Sequence, residues 1–178
     1  ANTIGTSDFV KLYKDKIPVY WYIREAHNLT SYHKGRQNVL QGYKNVWCVS
    51  EYAKEFIDKN FKTNAVVCHN AVEDVYTTSK ATGPIKILFS GTLSGRKGLD
   101  TLVQAWKRIH EFYPKVELLI AGRILESFQK FCNEHLGGAL DEKNIHYIGE
   151  ITDRAKYFDL LSSVDIVAVP SRDESCSL

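Results

Sequence analysis

Short apolar runs alternate with amphipathic stretches along most of this chain, and that alternation limits its fold more than any other feature. Ile85 to Ser90, Val116 to Ala121, Asn144 to Ile148 and Asp165 to Val169 read as strands. Gly98 to Tyr113, Leu125 to Leu136 and Arg154 to Ser163 read as the helices between them. In the first of these helices Leu99, Leu102, Val103, Trp106 and Ile109 recur on one face, and Pro114 stops it. The second ends at Gly137-Gly138. Strands that are apolar on both faces and alternate with helices predict a parallel sheet of right-handed βαβ units.

The same pattern is weaker upstream. Ile17 to Ile23, Asn45 to Ser50 and Ala65 to Cys68 read as strands, and Tyr32 to Tyr43 and Glu51 to Asn60 as helices. The latter presents Tyr52, Phe56 and Ile57 on one face, with Ser50 as its N-cap. Residues 73–84 are polar, rich in Thr and Ser, and end in Gly-Pro, which reads as a linker. The chain of 178 residues therefore divides into 1–72, a linker over 73–84, and 85–178. The absence of methionine, even at position 1, predicts that the chain does not begin at a natural start, either as a piece of a longer protein or with its methionine replaced or lost.

Charge and cysteine content narrow the function classes. Lys plus Arg is 23 against 21 for Asp plus Glu, a net +2, without the basic excess of a non-specific nucleic-acid binder. The four cysteines are far apart and set in apolar runs, which predicts reduced structural thiols and no zinc site. No apolar run reaches membrane-spanning length and no signal peptide opens the chain, so a cytoplasmic location is expected.

Ligands of open α/β sheets bind at the carboxyl ends of strands. The first such end, Ser90-Gly91-Thr92-Leu93-Ser94-Gly95-Arg96-Lys97-Gly98, places two cations at a helix start, where the macrodipole favours anions. An anion held there by backbone N–H groups, the dipole and the cations would explain them; a solvated turn with surface basic residues remains open. The loop is neither a Walker A loop nor Gly-x-Gly-x-x-Gly. At the second end, Gly122-Arg123, arginine stands where a dinucleotide fold would want an acid. Gly149, Glu150 and Ile151 follow the third strand, and Glu174 stands on the loop after the fourth. Upstream, Arg24-Glu25-Ala26-His27 is the one polar cluster that could face a cleft. The six histidines show no metal-ligand spacing.

Taken together, Ile87 to Leu93, Arg96-Lys97-Gly98-Leu99-Asp100, Leu118 to Gly122, and Ser163 to Ser171 with Glu174 resemble the group 1 retaining glycosyltransferases. Cys68-His69-Asn70-Ala71-Val72 resembles the interdomain region of that family, departing at His69 and Ala71 from its usual Pro-Asn-Gly-Val turn. The resemblance implies an α/β GT-B fold of two Rossmann-like domains, an acceptor side followed by a donor side, both incomplete in this sequence. It implies that Lys97 binds the donor diphosphate and that Gly91 and Thr92 lie against the phosphates. Glu174 would contact donor-sugar hydroxyls as the first glutamate of a Glu-x7-Glu pair whose second member falls beyond Leu178. Gly149 to Ile151 would line the nucleotide base, and Arg24-Glu25 would stand near the reacting centre. Thr92 occupies the place of a second phosphate-binding arginine in many relatives, leaving Arg96 or Arg123 as candidates to replace it.

The implied partners are a nucleotide-sugar donor and a glycan, lipid-linked or other acceptor. No metal, cofactor or nucleic acid is expected. Peripheral membrane association and a role in polysaccharide biosynthesis are compatible with the full-length enzyme. The piece itself is expected to be inactive. Two other readings are a non-catalytic sugar-nucleotide-binding or scaffolding module and, on the alternation alone, a nicotinamide-dependent oxidoreductase, which the missing glycine fingerprint opposes.

Overall fold

A computed structural model describes residues 3–26, 36–72, 83–135 and 144–176. The readings over Tyr32 to Gly35, over 73–82 of the linker, at His27 and at Gly137-Gly138 lie outside these residues. The chain forms two compact units: Ala1–Glu73 with Asp173–Leu178, and Asp74–Arg172. The last residues, read as the end of the downstream domain, thus cluster with the upstream unit.

In the first unit β1 (Trp21–Ile23), β2 (Val46–Cys48) and β3 (Val66–Val67) pair in parallel, in that order. Each is shorter than the apolar run that predicted it. Trp21, Ile23, Val46 and Cys48 alternate inward with period two, while Trp47 points to the other face and is exposed. An unpredicted helix, α1 (Ser7–Tyr13), adds the fully buried Val10 to this core. The indole of buried Trp21 donates to the carbonyl of Thr3 at 2.9 Å, so its N–H is satisfied as the ring is buried. No helix runs from Arg36 to Tyr43; a 3-10 turn over Arg36–Val39 stands there instead, bringing Leu40 into the core.

Helix α2 (Glu51–Phe61) begins at Ser50, whose hydroxyl accepts from the Ala53 N–H at 3.2 Å. Its buried face is Ala53, Ile57 and Phe61, one step round from the predicted one. Tyr52 is exposed and Phe56 only flanks the core. At its end the Asp58 carboxylate accepts from Lys54 Nζ at 2.5 Å, Thr63 Oγ1 at 2.6 Å and the Ala65 N–H at 2.8 Å. That side chain fixes the turn into β3. Burial pushes its pKa up, but the three hydrogen bonds outweigh burial and hold it below the usual carboxylate value.

The second unit carries β4 (Lys86–Ser90), β5 (Glu117–Ala121), β6 (Ile145–Gly149) and β7 (Ile166–Ala168), all parallel, in the order β6-β5-β4-β7. Helices α3 (Leu99–Phe112), α4 (Gln129–His135) and α5 (Arg154–Ser162) connect them. The apolar face of α3 is as read: Leu99 and Trp106 are buried, and Leu102, Val103 and Ile109 pack beside them. Helix α4 is shorter than predicted because a 3-10 turn, Glu126–Phe128, precedes it. Strand β7 departs from burial on both faces: Ile166 and Val167 are 50% and 48% exposed, and among the described residues β7 pairs with β4 on one side. No disulfide joins the four cysteines, and burial pushes the Cys48 thiol up to about 12. Among the described residues no helix is long and apolar enough to cross a membrane.

Because the Asp58 carboxyl titrates lower in the folded than in the unfolded chain, its stabilisation is present above an unfolded value of about 4 and lost as pH falls through the lowered folded value. Asp58→Ala is expected to cost about 1–3 kcal/mol at pH 7. Urea unfolding of both proteins should show that difference shrinking towards pH 3.

Candidate functional site

The strand order of the second unit locates the site. Sequential strands run outward from β4 to β5 to β6, and the chain then returns to place β7 on the other side of β4. The order reverses between β4 and β7, and open α/β sheets bind ligands at the carboxyl ends beside such a point.

There, three adjacent strand ends are joined through glycine. The Gly91 N–H donates to the Ala121 carbonyl at 3.0 Å, and the Gly122 N–H to the Gly149 carbonyl at 2.8 Å. Gly91 has φ +147, Gly122 φ +144 and Gly149 φ +82. A Cβ on Gly122 would lie 1.8 Å from the Gly91 carbonyl oxygen, so only glycine fits where these loops pass. The pairing of β5 with β6 shifts register after Ile120, so that Ala121 meets Gly149. The Tyr147 hydroxyl donates to the Gly122 carbonyl at 2.9 Å. Burial first, then the nearby Cys132 and Glu150, push its pKa up and keep it a donor.

Above this floor lies a cleft of about 190 Å³, lined by Ser90, Gly91, Thr92, Ala121, Gly122, Arg123, Glu150, Ile151 and Tyr157. Of the residues singled out in the sequence, the structure gathers Gly91, Thr92, Arg123, Glu150 and Ile151 in this cleft, with Gly149 in its floor. Lys97 stands beside it: its Cε is 4.0 Å from where a Cβ on Gly91 would be. Ser90, Ala121, Gly122 and Tyr157 were missed as lining residues. Gly122 carried a signal, a glycine ending a buried strand, while Tyr157 lies on α5 and is brought in only by tertiary packing.

Arg96 and Lys97 do not begin the helix. They occupy a single 3-10 turn, Gly95–Lys97, capped by the Ser94 hydroxyl, which accepts from the Lys97 N–H at 3.4 Å. Gly98, with φ +71, separates that turn from α3. The α3 terminus has its own anion, Asp100, whose carboxyl is held low by hydrogen bonds from Arg172 and from the Thr101 backbone. Arg172 N–H groups donate to both Asp100 oxygens at 2.8 and 3.0 Å.

Glu174, Arg24 and Glu25 fall in the first unit. There the Glu25 carboxylate accepts from the Arg24 backbone N–H at 3.1 Å, and the Ser50 hydroxyl donates to the Ser175 carbonyl at 2.6 Å. His69, at a departure from the family's turn, has Nδ1 3.2 Å from the Val49 carbonyl, a hydrogen bond within the same unit. Among the described residues no three His, Cys, Asp or Glu side chains form a candidate metal site.

The family model for glycosyl transferases group 1 matches residues 73–178. The chain belongs to that family. Among solved structures, TarM from S. aureus, a complex that includes UDP, is 18% identical with a TM-score of 0.71 and covers 98% of this chain and 36% of its own. HepE from Anabaena, in complex with UDP and glucose, is 15% identical with a TM-score of 0.72, covering 97% and 52%. A UDP-forming alpha,alpha-trehalose-phosphate synthase from Burkholderia vietnamiensis is 10% identical with a TM-score of 0.74, covering 99% and 52%. Their likeness establishes the GT-B fold. The chain spans about half or less of the length of these structures. Among curated protein sequences none matches it.

Gly122→Ala forces a Cβ against main chain that cannot yield as a flexible side chain could. The variant is expected to lose at least about 2 kcal/mol of stability, measured by chemical unfolding.

Proposed function

We propose that this chain serves a nucleotide-sugar-dependent glycosyltransferase that transfers its sugar with retention of anomeric configuration, and that the cleft at the ends of β4, β5 and β6 receives the donor nucleotide. The observation that carries this reading is the glycine floor at Gly91, Gly122 and Gly149 with the Lys97 side chain against Gly91. Small backbone lets a phosphate approach the main chain, and a lysine at its edge supplies a compact positive charge.

The chemistry follows from charge. A departing nucleoside diphosphate gains negative charge in the transition state, and a cation already in place stabilises it without reorganisation. Lys97 takes this role, with Gly91 and Thr92 against the phosphates and Arg96 or Arg123 supplying the second cation that Thr92 does not. Gly149, Glu150 and Ile151 meet the base. By the resemblance of their motifs, Glu174 is assigned to the donor-sugar hydroxyls and Arg24 and Glu25 to the reaction itself. The reaction as proposed uses no metal or cofactor. The acceptor is a glycan or a lipid-linked or other molecule, the work belongs to polysaccharide biosynthesis, and the location is cytoplasmic, with the inner face of the membrane open to the full-length enzyme.

Calorimetric titration of the full-length enzyme with UDP, GDP and ADP tests the reading. One of them should bind, and Lys97→Ala should weaken it about tenfold or more, as loss of a charge-assisted contact does. Undiminished affinity would remove the assigned phosphate site. A neutral Thr92 also favours a second reading, a module that binds sugar nucleotides without turnover. Sugar transfer by the full-length enzyme would exclude it.

A further inference from the structure

We propose that Arg172 is a positioning residue for the donor-phosphate turn, holding Gly95–Lys97 against the segment that follows β7; this rests on the donor-site reading above. Both segments leave the sheet at the point where its strand order reverses, one after β4 and the other after β7. Their main chains touch. A Cβ on Gly98 would lie 2.0 Å from the Pro170 carbonyl oxygen, and the Arg172 N–H donates to the Arg96 carbonyl at 2.9 Å.

The guanidinium completes the junction. One terminal nitrogen donates to the Gly95 carbonyl and to Asp100 Oδ1 at 2.8 Å. The other donates to Asp100 Oδ2 at 3.0 Å and to Thr101 Oγ1 at 2.8 Å. One rigid planar group therefore grips Gly95 on the entering side of the turn and Asp100 and Thr101 on the leaving side, while the Arg172 backbone N–H holds the Arg96 carbonyl. Lys97 lies between them. An exposed ion pair contributes little by itself, but a forked contact shared with the Gly95 carbonyl and the Thr101 hydroxyl specifies geometry.

The pair also acts on charge. Asp100 stands three residues from Lys97, where an unpaired carboxylate would repel an incoming diphosphate. Arg172 is bound to that carboxylate through both oxygens and offsets its charge. Removing Arg172 would loosen the turn and expose the carboxylate together, and both effects fall on the phosphates of a ligand, not on its base.

The test uses the full-length enzyme and whichever of UDP, GDP and ADP it binds, together with the matching nucleoside. Arg172→Ala should weaken the diphosphate about tenfold, within the range of coupled charge contacts, and leave the nucleoside unchanged in ligand-observed NMR. Arg172→Lys keeps the charge but not the fork, and should restore only part of the affinity. A melting temperature near that of the unaltered enzyme is expected for both variants. Equal weakening of diphosphate and nucleoside would overturn the inference, as would full affinity in Arg172→Ala while Lys97→Ala binds weakly. Full affinity in Lys97→Ala itself would remove the donor-site reading and the inference with it.

Discussion

The carboxyl end of the second sheet depends on two stretches of backbone passing closer than side chains permit. The Gly91 carbonyl occupies the space a Cβ on residue 122 would need. That approach lets the loops after β4 and β5 join by direct bonds, Gly91 to Ala121 and Leu93 to Arg123. The cleft residues follow from it. Thr92 and Arg123 are carried by the joined loops, and Glu150 and Ile151 arrive because Gly149 extends the same chain of bonds to β6. Arg172 adds a second junction on the other side of β4, and Lys97 sits between the two.

This arrangement changes where the positive charge resides. Two cations at a helix N-terminus would oppose the macrodipole. The structure avoids that conflict by placing Arg96 and Lys97 one turn earlier and giving the helix terminus to Asp100. Field from the helix is then already met by a carboxylate, and in the proposed function recognition of a diphosphate falls to the lysine and the glycine-lined backbone.

Much of the second unit was legible because its strands are apolar and its helix α3 is strongly amphipathic. Leu99, Leu102, Val103, Trp106 and Ile109 fit a period of 3.6, and each packs as that period requires. The first unit was less so. Helix α1 spans only Ser7–Tyr13, too short for periodicity to show, and the stretch after Arg36 tightens to a 3-10 turn for reasons set by packing of Leu40. In α2 the small Ala53 wins the buried position over Tyr52, since the hydroxyl of a tyrosine prefers water. The lining residues of the cleft were legible wherever a glycine or a charge ended a strand. Asp100 and Arg172 were not, because 72 residues separate them and only the reversal of strand order brings them together.

Backbone amide NMR during titration with UDP, GDP or ADP bears most directly on the central claim, that the nucleotide sits on the glycine floor beside Lys97. Binding should perturb the amides of Gly91, Thr92, Lys97, Arg123 and Gly149 to Ile151 as one saturable group. Perturbations gathered elsewhere, for example in a second cleft, within the first unit and lined by Tyr43, Lys44, Lys62 and Thr63, with those amides unmoved, would contradict it.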